Sequence, residues 1–229
     1  MAIPLYLAMT ASEFSQCQDF PAYTAWMDCQ FSPNGSGLSS LPSQLPKGAL
    51  LILNDRTPVQ GHDPKQIRQT LAETVSSLNC CAVLLDMQRP DCCETRKIIQ
   101  ELLALPCPVC VSDIYAKSLE CPVFLPPVPL TCTPDAYFSP WKGREIWLDV
   151  AVQSSVYTVT ERGCQNFNCE ATGDYPFTDE HLYCHYRLEL EKDSAKFYIQ
   201  RTKADIANLL EHSSVYGVRA AVGLWQELI

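Results

Sequence analysis

Short, nearly uninterrupted apolar runs recur along the chain, at 4–9, 25–31, 49–53, 81–85, 108–111, 122–125 and 146–152. Each has the length of a strand, and several are rich in Val, Ile and Leu, as strands buried on both faces are. Between them the period changes. Residues 64–78 carry Ile67, Leu71, Thr74 and Val75 on one helical stripe, with Asp63 placed as a cap and Pro64 in the first turn. A second helix is predicted over 94–105, with Ile98, Ile99, Leu102 and Leu103, and a third over 203–212, with Ile206, Leu209 and Leu210. Apolar strands alternating with such helices predict a parallel sheet with helices on its faces. A last strand at 217–224 completes eight, the number of a (β/α)8 TIM-type barrel.

The barrel expected is a shortened one. Residues 32–47 contain Pro33, Gly35, Gly37, Pro42 and Pro46 and read as a long loop, and 113–120 scarcely accommodates one helical turn. Several outer helices are therefore missing, in keeping with a length of 229 residues, near the low end for this fold. Residues 154–196 behave differently: Tyr157-Thr-Val-Thr160 and 182–191 alternate polar and apolar positions, as half-exposed antiparallel strands do. This stretch is read as a small antiparallel α+β insertion before the last helix, within one barrel domain spanning 1–229.

Composition narrows the function classes. With 47% hydrophobic residues the chain can bury a sizeable core. Seventeen basic against 26 acidic residues give a net charge of −9 and no basic cluster, which argues against nucleic acid as a partner. No apolar run reaches the roughly 18 residues that would span a membrane. The N-terminal apolar run has no basic residues before it and reads as a first strand rather than a signal peptide, so a cytoplasmic location with reduced thiols is expected.

The thirteen cysteines suggest no metal centre of standard spacing. Cys107, Cys110 and Cys121 lie in strand-like runs and read as small buried hydrophobes, and the Cys107–Cys110 CxxC has no second pair. Cys80-Cys81 and Cys92-Cys93 are adjacent pairs, a poor geometry for one metal. Cys164, Cys169, Cys184 and His185 could supply four tetrahedral ligands, but their spacing fits no standard zinc module. Structural thiols, with no metal and no cofactor, are the expectation.

At Cys81-Ala-Val-Leu-Leu-Asp-Met-Gln-Arg-Pro90 the chain resembles the fourth strand of the family-18 glycoside hydrolases, the chitinase-like barrels, whose motif reads Asp-Gly-x-Asp-x-Asp-x-Glu. Asp86 falls on the last motif aspartate, Gln88 on the catalytic glutamate, and Cys81 and Leu84 on the other two aspartates. The segments 197–206 and 217–226 are similar to that family's final helix and strand, where a Trp at the strand end floors the sugar site; Trp225 matches it. The insertion before the final helix also sits where the family carries an antiparallel module. The family's strand-six Met-x-Tyr-Asp segment has no counterpart in 121–129. In the family the strand-four glutamate protonates the leaving oxygen while the aspartate supports the substrate's N-acetyl group. A carboxamide has no acidic proton near pH 7, and general acid catalysis is worth about 10²–10⁴-fold. The resemblance therefore implies a silent barrel binding N-acetylated glycans such as peptidoglycan or chitin-like fragments.

In a parallel barrel the C-terminal strand ends carry the working side. The polar residues expected there are Asn54, Asp55 and Arg56, then Asp86, Gln88 and Arg89, then Ser112, Asp113 and Tyr115, and finally Trp225 and Gln226. Carboxylates and amides bind sugar hydroxyls while an aromatic face covers the ring. Each has a plainer reading: an ion pair of Asp86 with Arg56 or Arg89, a loop cap for Asp55 or Asp113, packing for Tyr115 and Trp225, and a solvated position for His62. Two other functions stay open. One is an active glycosidase using two relocated carboxylates among Asp55, Asp86, Asp113 and Asp149; the other is a structural or interaction protein such as a spore-coat-like component. No GxSxG, P-loop or GxGxxG pattern occurs, which weakens the esterase, kinase and dinucleotide readings.

Overall fold

The computed structural model describes residues 2–169 and 172–229. Eight parallel strands close into a barrel: β1 (Leu5–Met9), β2 (Thr24–Phe31), β4 (Leu50–Asn54), β5 (Ala82–Asp86), β6 (Val109–Ser112), β7 (Val123–Leu125), β8 (Ile146–Val150) and β14 (Val218–Leu224). β1 pairs with both β14 and β2, which closes the ring, and the two-residue β3 (Leu38–Ser39) adds antiparallel to the end of β2. Because side chains alternate along a strand, each barrel strand feeds two cores. Leu50 and Ile52, Ala82 and Leu84, and Trp147 point inward, with Tyr6, Ala8, Ala25, Cys110, Phe124, Ala220 and Val222. Leu51 and Leu53, Val83 and Leu85, and Ile146 and Leu148 point outward against the helices.

The helical cover is incomplete, as the sequence predicts. α2 (Pro64–Leu78) is capped by Asp63, whose carboxylate accepts from the Lys65 amide at 3.0 Å, and it buries Ile67, Leu71 and Val75. Asn79 ends it in the left-handed region, which an Asn tolerates. α3 (Cys93–Leu102) buries Ile98, Ile99 and Leu102, and stops three residues short of the expected 105. The remaining helices next to the barrel are short: α1 (Ala11–Gln16), the single-turn α4 (Asp113–Ala116), α5 (Pro134–Phe138), and α7 (Trp225–Leu228) after the last strand. α6 (Lys203–Ser213) begins in a Thr202–Asp205 capping box. No helix among the described residues is long and apolar enough to cross a membrane.

The insertion is a five-stranded antiparallel sheet ordered β10-β9-β13-β12-β11, from β9 (Gln153–Thr160), β10 (Gly163–Asn168), β11 (Phe177–Asp179), β12 (Cys184–Glu191) and β13 (Ser194–Arg201). It starts one residue earlier and ends five residues later than the alternation suggested, because β13 runs straight into α6. The side chain of Arg201 ties it to the barrel. This residue is 2% exposed; its guanidinium donates to the carbonyls of Leu182 (2.7 Å), Tyr183 (3.1 Å) and Val128 and to Gln153 Oε1 (3.0 Å). Tyr183 takes a positive φ of 51°, unusual for a bulky side chain. Truncating Arg201 strands several buried acceptors, each worth about 1–3 kcal/mol when left unpaired. Arg201→Ala is expected to lower stability in urea titration by at least about 3 kcal/mol, and an unchanged midpoint would contradict that role.

Candidate active site at the barrel mouth

The inward parity of the strands determines what faces the C-terminal mouth. Asn54 follows Leu50 and Ile52 in phase, Asp86 follows Ala82 and Leu84, and Asp149 follows Trp147. All three line a cavity of about 750 Å³ at the strand ends. Its floor is aliphatic, with Ile52, Leu84, Val222 and Leu224, and Phe124 is the aromatic side chain within it. Its rim includes Asp55, Arg56, Gln88 and Arg89. A second groove of about 490 Å³ runs beside it, lined by Tyr157, Asn166 and Asn168 of the insertion and by Pro127 and Pro129. The two hollows share no lining residue, but consecutive residues line them at 126–127 and 151–152.

Polar contacts organise the rim. Asp55, 3% exposed, accepts from the backbone amides of Gln88 and Arg89 (both 2.9 Å), so one carboxylate clamps the loop after β5 to the loop after β4. Arg89 returns the bond through Nε to the Asp55 carbonyl (2.7 Å) and through Nη2 to the Arg56 carbonyl (2.7 Å). The Tyr115 hydroxyl donates to the carbonyls of Arg89 (3.1 Å) and Pro90 (3.2 Å). Asn54 donates to the Met27 carbonyl and accepts from the Arg56 amide. Asp55, Asn54 and Tyr115 therefore shape the mouth. Asp86 accepts from the Gln88 carboxamide at 2.5 Å, and among the described residues no ion pair reaches it, so the Arg56 or Arg89 partnership is not formed.

The two inward carboxyls carry the electrostatics. Burial pushes Asp86 above the ordinary carboxylate range and Asp55 adds to it, against the Gln88 hydrogen bond and the Arg56 charge. Asp149 is pushed up to about 7, first by burial and then by the charge of Asp86, with a smaller push from Glu227. A carboxyl half-protonated near neutrality and facing a second one across a cavity is able to give or take a proton.

Several expected residues stand elsewhere. Trp225 packs against the outer core and neither it nor Gln226 lines the cavity, because Leu224 is the residue in phase with Ala220 and Val222. Trp225 instead starts α7, which folds back so closely that a Cβ on Gly223 would lie 2.4 Å from Leu228 Cδ1. Asp113 opens α4 and does not line the cavity, and Tyr115 is 2% exposed in the outer core. His62 is not freely solvated: its Nδ1 meets the Val59 carbonyl at 3.0 Å, its ring packs edge-on against Phe31, and its Nε2 is buried. Cys164, Cys169, Cys184 and His185 do not converge, since β9 and β13 separate β10 from β12. His185 instead bridges Thr178 (3.1 Å) and Asp205 (3.2 Å), and no metal-binding group of three or more His, Cys, Asp or Glu occurs among the described residues. Asp149 was the residue least marked by motif, and strand parity alone identifies it.

A scan of family models and a search of curated proteins find no match. Solved structures do match in fold. The spore cortex-lytic enzyme SleL of Bacillus cereus superposes with a TM-score of 0.56 at 8% identity, over 96% of this chain and 70% of that one. The SleL of Bacillus megaterium QM B1551 gives 0.57 at 9%, over 97% and 70%. A chitinase from Chromobacterium violaceum ATCC 12472 gives 0.52 at 9%, over 97% and 93%. The chain thus shares the barrel fold of these proteins, the fold that its fourth strand and C-terminal segments suggest.

Asp149 offers a direct check. Its raised pKa means the folded state holds the proton more tightly than the unfolded chain, so its contribution to stability is present below about pH 4 and lost as pH rises through about 7. Asp149→Asn removes that loss. The variant should melt higher than the parent at pH 8 and show no such gain at pH 4; equal shifts at both pH values would show that Asp149 is not buried as described.

Proposed function

We propose that the barrel mouth binds an N-acetylated glycan, of the peptidoglycan or chitin-like class, without cleaving it by the chemistry usual for such barrels. The observation that carries this reading is Gln88: it lines the cavity two residues after Asp86, bonded to it through a carboxamide, where an acid would have to stand. Asp86 and Asn54 offer oxygen acceptors for hydroxyls, and the aliphatic floor suits the apolar face of a ring. The neighbouring groove, lined by Asn166, Asn168 and Tyr157, gives further sugar units a polar bed, which favours oligomers over monosaccharides.

A second reading, hydrolysis by relocated carboxylates, is favoured by one observation. Asp149 stands near 7 in the same cavity as Asp86 and so combines the proton affinity of a general acid with a partner carboxyl.

Calorimetric titration with N-acetylglucosamine oligomers and peptidoglycan fragments, with analysis of the recovered sugars, separates the two. Saturable binding of intact sugars, lost in Asp86→Ala, is expected; Gln88→Glu should introduce traces of turnover. Cleavage by the parent that disappears in Asp149→Asn would move the assignment to the relocated pair. Absence of heat with every sugar would overturn glycan binding and leave an interaction protein.

A further inference from the structure

The antiparallel insertion, unlike the closed barrel, ends in two strand edges. One is β11, three residues long, preceded by Pro176 and ending in Asp179, a short and charged edge of the kind that resists further pairing. The other is β10, Gly163-Cys-Gln-Asn-Phe-Asn168, whose residues are all exposed and include neither a charge nor a proline. Its inner side is bonded to β9. The Cys169 amide donates to the carbonyl of Ser154 directly opposite it (3.3 Å), so the β10 residues whose backbone bonds β9 are Phe167, Gln165 and Gly163, every second one from there. Cys164, Asn166 and Asn168 therefore turn their N–H and C=O groups away from the sheet. The connection toward β11 does not cover them from residue 173 on. It crosses a face of the sheet instead, where a Cβ on Gly173 would meet Arg187 Nη1 at 2.6 Å and the Arg187 Cζ lies 5.9 Å from the Tyr175 ring. Among the described residues no strand pairs with the outer side of β10.

We infer that β10 is the interface through which two copies of this chain associate, pairing antiparallel about a twofold axis at Asn166. An open, uncharged strand edge is a template for another strand, and the symmetry of this one suits a second copy. The outward residues 164, 166 and 168 are evenly spaced about Asn166, so the reversed strand of another copy presents the same donors and acceptors in register. Asn166 then lies opposite Asn166 of the second copy and Cys164 opposite Asn168 of it, each pair exchanging both backbone bonds. The chain carries a net charge of −9, yet no charged side chain of β10 meets its like across this axis. Phe167, 58% exposed, is the strand's large apolar side chain. The same register sets it across from Gln165 of the second copy and diagonal to the other Phe167, within the reach of an aromatic ring. The two insertion sheets become one continuous sheet. The contact is a single strand wide, so the association is reversible and of micromolar strength, and it does not depend on what the barrel mouth binds.

Sedimentation velocity of the whole, thiol-reduced protein over a wide concentration range tests this. The expected result is a concentration-dependent shift from 25.6 kDa toward twice that mass. Asn166→Pro removes an amide that β9 does not use, a change an edge strand tolerates, and should abolish the shift while leaving the melting temperature near the parent's. Cross-linking reads the register. Asn166→Cys places the two introduced thiols opposite each other at a Cα separation of about 5.5 Å, which a disulfide spans, so mild oxidation should join them in a dimer whose link is mapped by mass spectrometry. Gln165→Cys faces Phe167 of the second copy and should not link to itself. A protein that stays monomeric at every concentration overturns the inference and leaves the edge for an extended segment of another chain. A dimer that survives Asn166→Pro, or that links through Gln165→Cys as readily as through Asn166→Cys, overturns it as well.

Discussion

The backbone hydrogen bonds of β1 to both β2 and β14 turn an open sheet into a closed barrel, and most of what this molecule presents follows from that closure. A closed eight-stranded barrel has no edges, and its interior has room for only alternate side chains. Four alanines, Ala8, Ala25, Ala82 and Ala220, leave space for Tyr6 and Trp147, whose rings stack 6.2 Å apart near the N-terminal end. At the other end the same alternation runs out of apolar residues and delivers Asn54, Asp86 and Asp149 to the mouth. The polar layer there is thus the continuation of the packing rule that builds the core, with water or a ligand as its next neighbour.

Much of this was legible in the sequence. The eight apolar runs, the helix at 64–78 and the antiparallel insertion all appear where periodicity places them, because strand burial and helix capping are local signals. Asp86 was legible from the motif and Asp149 from its position in a strand. What failed was phase and long-range geometry. Trp225 is a single residue beyond the inward position, and one residue moves a side chain to the other face of a strand. The cysteine cluster at 164–185 looked compact along the chain but is spread across a sheet whose strand order no local pattern reveals. Asp55, read as a cap or a ligand contact, turned out to be a clamp between two loops, since its partners lie 33 and 34 residues away.

The buried carboxyl groups of the site are served unequally. At Asp55 two backbone amides donate to the buried side-chain oxygens, so neither oxygen is left without a partner. At Asp149 burial and the nearby charge of Asp86 instead favour the protonated form. Burying Asp149 is a cost to folding above neutral pH, and it falls where chemistry or binding would draw on it.

The Arg201 contacts bear on how such a molecule could change over time. Its guanidinium ends on carbonyls of 128, 182 and 183 and on the Gln153 side chain; of these only Val128 lies outside the sheet, and beside it Leu130 packs against Cys184 and Ile199. Carbonyl oxygens persist whatever residue bears them. The Val128 end of the joint therefore tolerates a change of residue at 128, whereas the Leu130–Cys184–Ile199 contact does not, and the joint does not travel with the sheet alone. A transplant of residues 153–201 onto another barrel would need the 126–130 segment as its receiving half.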